Sequence, residues 1–287
     1  IVEAWRRIQL DEGHIYLVGG VESMSNIPYL IKDARWGLKL RHSQLTDGLW
    51  EGLTDPICGQ LMGRTAENLA EEFEITRLQQ DEYAVQSHKK AFAATRAGKF
   101  KDEIVPVEIV KKVAGQEVAR EQITQDETIN AGLSVQKAAM YPTVFKQDGS
   151  VTPANACGIS DGASAALIMS AEKAAELGYK PLAKIIGYGF AGVEPERMGI
   201  APAYAVPKAL AKAGKQIGDM DLIEINEAFA AQVLACGLKL QWDWSKVNVN
   251  GGAIALGHPV GSSGCRIVVT LVHEMQRRKA RLPRTRW

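Results

Sequence analysis

Asn250-Gly251-Gly252-Ala253-Ile254-Ala255-Leu256-Gly257-His258-Pro259-Val260-Gly261-Ser262-Ser263-Gly264 is a glycine-rich loop built around a single histidine. Before it lies Val247 to Asn250, whose alternation reads as a strand. After it comes an apolar helical stretch, Cys265 to Met275. Strand, loop and helix in that order are the unit of an α/β fold, which sets its sites at such junctions. The many glycines predict bared backbone amides that approach a substrate closely. His258 stands just before the helix, where unpaired amides and the dipole favour negative charge. A developing thiolate, enolate or oxyanion is therefore the expected guest, and an imidazole there can move protons near neutral pH. The competing reading is a structural histidine that caps the helix. Gly257 and Pro259 fix the backbone on either side, which favours the functional reading.

The same alternation runs outward from the loop. Leu222 to Ile225 reads as a short strand, and Asn226-Glu227 opens a helix to about Leu240. Asn226 is either the N-cap of that helix or a donor that orients water or an oxyanion. Upstream, Asp161 to Met169 predicts a turn and a buried strand, followed by a helix (Ala171 to Gly178), a strand (Ala183 to Tyr188) and a helix (Tyr204 to Gly214). At the other end, residues 1–12 are helical in pattern. His14 to Val18 is a buried strand stopped by Gly19-Gly20. Between these parts, residues 29–60 are irregular. Arg64 to Glu72 is a helix opened by Thr65, and Thr76 to Gln79 is a capping box that starts a long helix closing near Gly98. Glu103 to Val110 alternates around Pro106 as an edge strand, and residues 111–150 are polar and rich in turns. Residues 29–150 thus form a separate excursion. A weak echo links residues 1–20 with 262–287, but Arg281-Leu282-Pro283-Arg284-Thr285-Arg286-Trp287 cannot supply the buried strand of the second copy.

The 287 residues suffice for two domains or one large one. Their 46% hydrophobic and 23% charged content is that of a soluble globular chain. A net charge of +1 gives no field to steer the chain to nucleic acid or membrane. No apolar run approaches the roughly 20 residues of a membrane helix, and no signal peptide is visible. Cys58, Cys157, Cys236 and Cys265 are scattered without metal-ligand spacing, so no metal site is expected and a reducing, cytoplasmic setting is. Cys157 reads as a nucleophile or as a small buried packing residue. Cys265 reads as core, Met24 and Met62 as packing, and His88 and His273 as members of solvated helix faces. The loop is neither a Walker motif nor a dinucleotide fingerprint, which disfavours a nucleotide-binding oxidoreductase.

Val18-Gly19-Gly20-Val21-Glu22-Ser23-Met24-Ser25, Asn226-Glu227-Ala228-Phe229-Ala230 and the His258 loop together resemble the thiolase family. Met62 to Asn68, Phe100 to Pro106 and Asp161 to Ala163 extend the likeness collinearly from Ile1 to about Ala280. The resemblance implies an α/β, thiolase-like fold of two related halves with an inserted loop domain, the first half largely missing. Residues 1–28 and 151–180 would be its remnants, 29–150 the loop domain and 181–287 a second half truncated at its end. The implied activity is acyl transfer between coenzyme A thioesters: two acetyl-CoA to acetoacetyl-CoA and CoA, or thiolytic cleavage of a 3-ketoacyl-CoA. His258 and Asn226 take the catalytic roles. A thiolate next to an imidazole is the better nucleophile, and paired donors stabilise an enolate or tetrahedral oxyanion. Cys157, Met62, Ala228 and Phe229 are implied to meet CoA, with Gly257, Pro259 and Gly261 supporting the loop. Acyl-CoA and CoA are the implied partners, in a dimer or tetramer, with no cofactor. The family's nucleophilic cysteine would lie upstream of Ile1, and its second cysteine segment would stand where Arg281 to Trp287 stands. A truncated or frame-shifted chain is expected on that count, and with it the alternative of an inactive fragment that binds CoA or joins subunits. Leu61 replaces a usual histidine and Pro153 a usual small residue.

Overall fold

Helix α1 (Val2–Gln9) leads into strand β1 (Ile15–Ser23), and short strands β2 (Tyr29–Leu30) and β3 (Thr46–Asp47) follow. Next come helices α2 (Gly48–Gly52), α3 (Met62–Glu72) and α4 (Arg77–Arg96), strands β4 (Val107–Val113) and β5 (Gln116–Ile123), and α5 (Val135–Ala139). Strand β6 (Asp161–Met169) precedes α6 (Ala171–Glu176), α7 (Pro202–Lys212), α8 (Ala230–Leu240), α9 (Ala253–Leu256) and α10 (Val260–Arg278). These elements belong to a computed structural model that describes residues 1–40, 42–114 and 116–279. The segment Arg281 to Trp287, where the second copy of the echo is predicted to lack its strand, lies outside the described residues.

Strand β1 pairs antiparallel with β6 in unbroken register, Ile15 opposite Met169 and Ser23 opposite Asp161. The predicted stop at Gly19-Gly20 is not one, since the strand runs through both glycines. They serve close approach instead. A Cβ on Gly19 would strike the Ser164 carbonyl of β6, and one on Gly20 the Gly261 carbonyl of α10. Helix α10 therefore lies directly on the β1–β6 pair. One face of β1 stays open, with Leu17 and Val21 exposed, so the strand is half-buried and not buried as predicted.

The capping box at Thr76 forms as predicted, with Thr76 and Gln79 satisfying each other's backbone. Helix α3 starts at Met62 and not at Thr65, whose hydroxyl donates back to the Met62 carbonyl. The edge strand predicted around Pro106 forms after the proline, as β4, and the polar stretch beyond it hides a partner: β4 and β5 pair antiparallel, both largely exposed. The charged run from Lys111 onward reads as turn because neither face of this ribbon enters the core. The strand predicted at Ala183 to Tyr188 does not form. The segments at Leu222–Ile225 and Val247–Asn250 meet in one parallel bridge, Ile223 to Val247. Asn248 explains the shortfall. With φ of +41° it leaves the extended region, and its side chain takes over the pairing. Its Oδ1 accepts from Ile225 N and its Nδ2 donates to Ile225 O, both at 2.9 Å.

The main core gathers Leu69, Ile75, Ile200, Ile225, Val233, Cys236, Trp242 and Val247, between α3, α8 and the bridge segments. Burying aliphatic side chains of this size stabilises by roughly 1.5–3 kcal/mol each. Among the described residues, no helix is long and apolar enough to cross a membrane.

Candidate active site

His258 sits between α9 and α10, on a turn opened by Gly257 at φ +93°. At that backbone angle a side chain is strained. Its ring is held at both nitrogens. Nδ1 lies 2.7 Å from Ser263 Oγ, and Nε2 lies 3.1 Å from Asn226 Nδ2. The Ser263 hydroxyl donates its one hydrogen to the Pro259 carbonyl at 3.0 Å. It therefore accepts from the ring, so Nδ1 carries the hydrogen and Nε2 keeps its lone pair. The Asn226 amide donates to that lone pair. The backbone N–H of His258 donates to Ser160 Oγ at 3.0 Å, which ties the turn to the chain just before β6. Burial, and then the positive charge of Arg266, hold the imidazole below its ordinary pKa. At neutral pH it is an unprotonated base.

The helix-cap reading of Asn226 is overturned: α8 begins at Ala230 with Phe229 as its N-cap position. The asparagine is thus left for His258. Helix α10 follows the histidine and starts at Val260, five residues before the predicted Cys265, but its N-terminus already has an anion, because Gly261 N donates to Glu22 Oε2 at 3.2 Å. Gly261 approaches the Val21 carbonyl of β1 closely. Pro259 packs over Gly162 of β6. The glycines Gly251 and Gly252 face not outward but inward. A Cβ on Gly251 would meet Ser87 and Ala91 of α4, and one on Gly252 the carboxylate of Glu227. Close approach to protein, not to a substrate, is what these two require.

Glu227 is the residue that sequence reading undervalued. It is 1% exposed and accepts four hydrogen bonds. Tyr83 Oη and Asn248 Nδ2 donate to Oε1 at 2.8 Å each, and Ser87 Oγ and Ile254 N to Oε2 at 2.6 and 3.2 Å. One carboxylate so binds α4, the bridge segments and α9 into the frame that carries Asn226 and His258. The signal was present in the sequence, a charged residue directly after Asn226 in an apolar stretch, but its four donors come from distant positions. His88, predicted solvated, is 7% exposed, and its Nδ1 accepts from Asn130 N at 3.1 Å. It faces the loop after β5, which the helical pattern of α4 alone did not reveal.

Cys157, Ala228 and Phe229 come together beside this frame, and Met62 is the chain neighbour of Gly63, which lies under Phe145. Cys157 N donates to the Ala228 carbonyl at 3.0 Å, and Ala156 bridges Phe229. The Phe229 ring meets that of Phe145 edge-on at 6.0 Å, and Phe145 lies on Gly63, next to Met62. Cys157 keeps some exposure as a residue, yet burial pushes its thiol up to about 12, which opposes the nucleophile reading. Cys265 is buried, as expected of core, and Cys236 is enclosed with its thiol pushed up to about 11 by burial. Among the described residues, no group of three or more His, Cys, Asp and Glu is placed to hold a metal ion.

Comparison with known proteins matches the thiolase N-terminal domain to residues 1–172 and the thiolase C-terminal domain to residues 179–284. An acetyl-CoA acetyltransferase of Chromobacterium violaceum is 50% identical over 279 residues, 97% of this chain and 70% of that protein. A probable acetyl-CoA acyltransferase of Staphylococcus aureus is 47% identical over 273 residues, 95% of this chain and 68% of that protein. Among solved structures, the Bacillus anthracis acetyl-CoA acetyltransferase superposes with a TM-score of 0.92 at 47% identity, over 97% of this chain and 69% of the other. Human mitochondrial 3-ketoacyl-CoA thiolase in complex with CoA superposes with a TM-score of 0.90 at 45% identity, over 97% and 68%. The chain belongs to the thiolase family and has its α/β fold.

Proposed function

We propose that this thiolase-family chain is an acyltransferase acting on coenzyme A thioesters, joining two acetyl-CoA into acetoacetyl-CoA and CoA or cleaving a 3-ketoacyl-CoA with CoA. The observation that carries the reading is the His258–Asn226 pair at 3.1 Å, backed by Ser263. Neutral His258 presents a lone pair that takes a thiol proton, and the resulting thiolate attacks the thioester carbonyl. With the proton on Nε2, the ring and the Asn226 amide are two adjacent donors. Aimed at one oxygen, they stabilise the oxyanion or the enolate formed when the α-proton leaves. Cys157, Met62, Ala228 and Phe229 form the half-buried neighbourhood proposed to receive the pantetheine arm. Gly257, Pro259 and Gly261 hold the turn. The division into 1–28, 29–150, 151–180 and 181–287 is proposed with it, supported by the pairing of β1 with β6 across the intervening segment. A homo-oligomer in the cytoplasm, without cofactor, completes the reading.

The test is CoA-dependent cleavage of acetoacetyl-CoA, followed by loss of its enolate absorbance. His258→Ala should lose about 10²–10⁴-fold and Asn226→Ala about 10²–10³-fold. Equal turnover in wild type and His258→Ala sinks the proposal. Mass spectrometry after incubation with acetyl-CoA seeks the acetylated cysteine. The protonated thiols of Cys157 and Cys236 favour a second reading, a chain that binds CoA without turning it over. CoA binding by calorimetry with no cleavage above the His258→Ala level would select it.

A further inference from the structure

Ile223 and Ile225 both turn into the main core. In an extended segment alternate residues point to opposite sides, so Glu224 and Asn226 share the other side, where Asn226 meets His258. Helix α10 faces them. Ser263, the Nδ1 partner of His258, is followed one turn later by Arg266 and one turn after that by Thr270. The Thr270 hydroxyl lies 3.5 Å from Glu103 Oε1, which brings a second carboxylate to the same face. Five buried atoms in this region, Glu103 Oε2, Glu224 Oε2, Asn226 Oδ1 and both Arg266 Nη atoms, have no hydrogen-bond partner among the described residues. Three are acceptors and two are donors carrying four hydrogens, so they are chemically complementary. Leaving such groups unpaired is costly, and more so when they are charged.

We propose that Arg266 is a positioning residue: its guanidinium joins Asn226 Oδ1 and the carboxyl groups of Glu224 and Glu103 in one buried network, through bridging water, that turns the Asn226 amide toward His258. The network thereby sets both the donor geometry at Nε2 and the charge state of the ring. The charges accord with this. Burial pushes Glu103 up to about 7 and Glu224 up to about 8, and Arg266 opposes both shifts. Asp126, raised by burial, also faces Arg266 and Glu103. Arg277 bears on Glu103, and Glu227 and Glu274 bear on Glu224. Arg266 is the charged group that bears on His258.

The inference rests on the reading of His258 and Asn226 as the acting pair, but its test requires no turnover and so fails separately. Histidine-labelled protein is titrated by NMR, with His258 identified by its loss in His258→Gln and buried His88 as the internal control. Arg266→Gln should raise the His258 pKa by about half a unit or more, because it removes a nearby positive charge. It should also speed hydrogen exchange of the Asn226 side-chain amide several-fold, while His88 stays unchanged. Arg266→Lys keeps the charge and loses the fork, so the His258 pKa should hold while Asn226 exchange still rises. This second variant carries the test if Arg266→Gln does not fold. An unchanged Asn226 exchange rate in either folded variant overturns the network, and so does an unchanged His258 pKa in Arg266→Gln.

Discussion

Glu227→Gln isolates what the buried frame contributes to the site. Every partner of Glu227 is a donor: Tyr83 Oη, Ser87 Oγ, Asn248 Nδ2 and Ile254 N. A carboxylate accepts from all four, whereas glutamine keeps one accepting oxygen and turns an NH2 toward the remaining two. Whichever way the amide is set, one side faces two donors. If it faces Ser87 and Ile254, the backbone N–H cannot reverse, and the serine oxygen already accepts from Gly252 N at 3.1 Å. If it faces Tyr83 and Asn248, the Asn248 side chain is fixed by its bonds to Ile225. Two bonds to a charged acceptor are therefore lost, at roughly 1.5 kcal/mol each, giving about 3 kcal/mol. For 287 residues, an unfolding entropy of about 0.6 kcal/mol/K converts this to a fall in Tm of roughly 5 °C. Thermal unfolding by circular dichroism at pH 7 measures it. Because the frame holds Asn226 against His258, acetoacetyl-CoA cleavage should fall as well, with Glu227→Gln weaker than His258→Ala. A Tm within 1 °C of wild type would refute the four-donor account.

Gly20→Ala places a methyl group against the Gly261 carbonyl, where backbone meets backbone and neither yields. A loss of about 2–3 kcal/mol is expected, or roughly 3–5 °C in the same melt; a neutral result would mean that α10 does not rest on β1 as described. Alkaline pH should destabilise the fold through Glu103 and Glu224. Their folded pKa values, about 7 and about 8, lie above the unfolded value, so their contribution is complete below about pH 4.5 and is lost as pH rises toward 8. Glu224→Gln should therefore melt higher than wild type at pH 9 but not at pH 5, and a difference independent of pH contradicts the assignment. His258 and His88 act in the other direction. Burial lowers both, so the unfolded chain takes up protons first, and stability present above about pH 6.5 is lost as pH falls. Replacing His88 by glutamine should flatten that acid limb in a series of melts from pH 7 to 5.

Local chemistry was legible where the deciding partner is near in sequence. The Thr76–Gln79 capping box, the helix through Cys265 to Met275 and the strand of small residues before Met169 form as their own residues dictate, although that strand already begins at Asp161 and is half-buried, not buried as predicted. Failure came where a distant group decides. Gly19-Gly20 looks like a strand stop because the reason for glycine, the carbonyls of Ser164 and Gly261, lies far along the chain. His88 looks solvated because the loop that covers it arrives some forty residues later. The alternating stretch from Val247 to Asn250 looks like a strand, yet Asn248 replaces backbone pairing by side-chain pairing with Ile225, a substitution no period reveals.

The same distinction bears on the glycine-rich loop itself. Its composition suggested amides bared for a ligand, but its glycines are used in two different ways. Gly251 and Gly252 let α4 and Glu227 come close, and Gly261 lets β1 do so. Gly251 and Gly257 also bend the chain at positive φ, Gly257 immediately before the histidine. The loop is thus a packed junction of three elements, and the group it presents is the imidazole, with Nδ1 spent on Ser263 and Nε2 turned to Asn226. A base so enclosed has little freedom to reorient. Its proton affinity and direction are then set by the neighbours that hold it, which places the determinants of reactivity in Asn226, Ser263 and Arg266 as much as in the histidine.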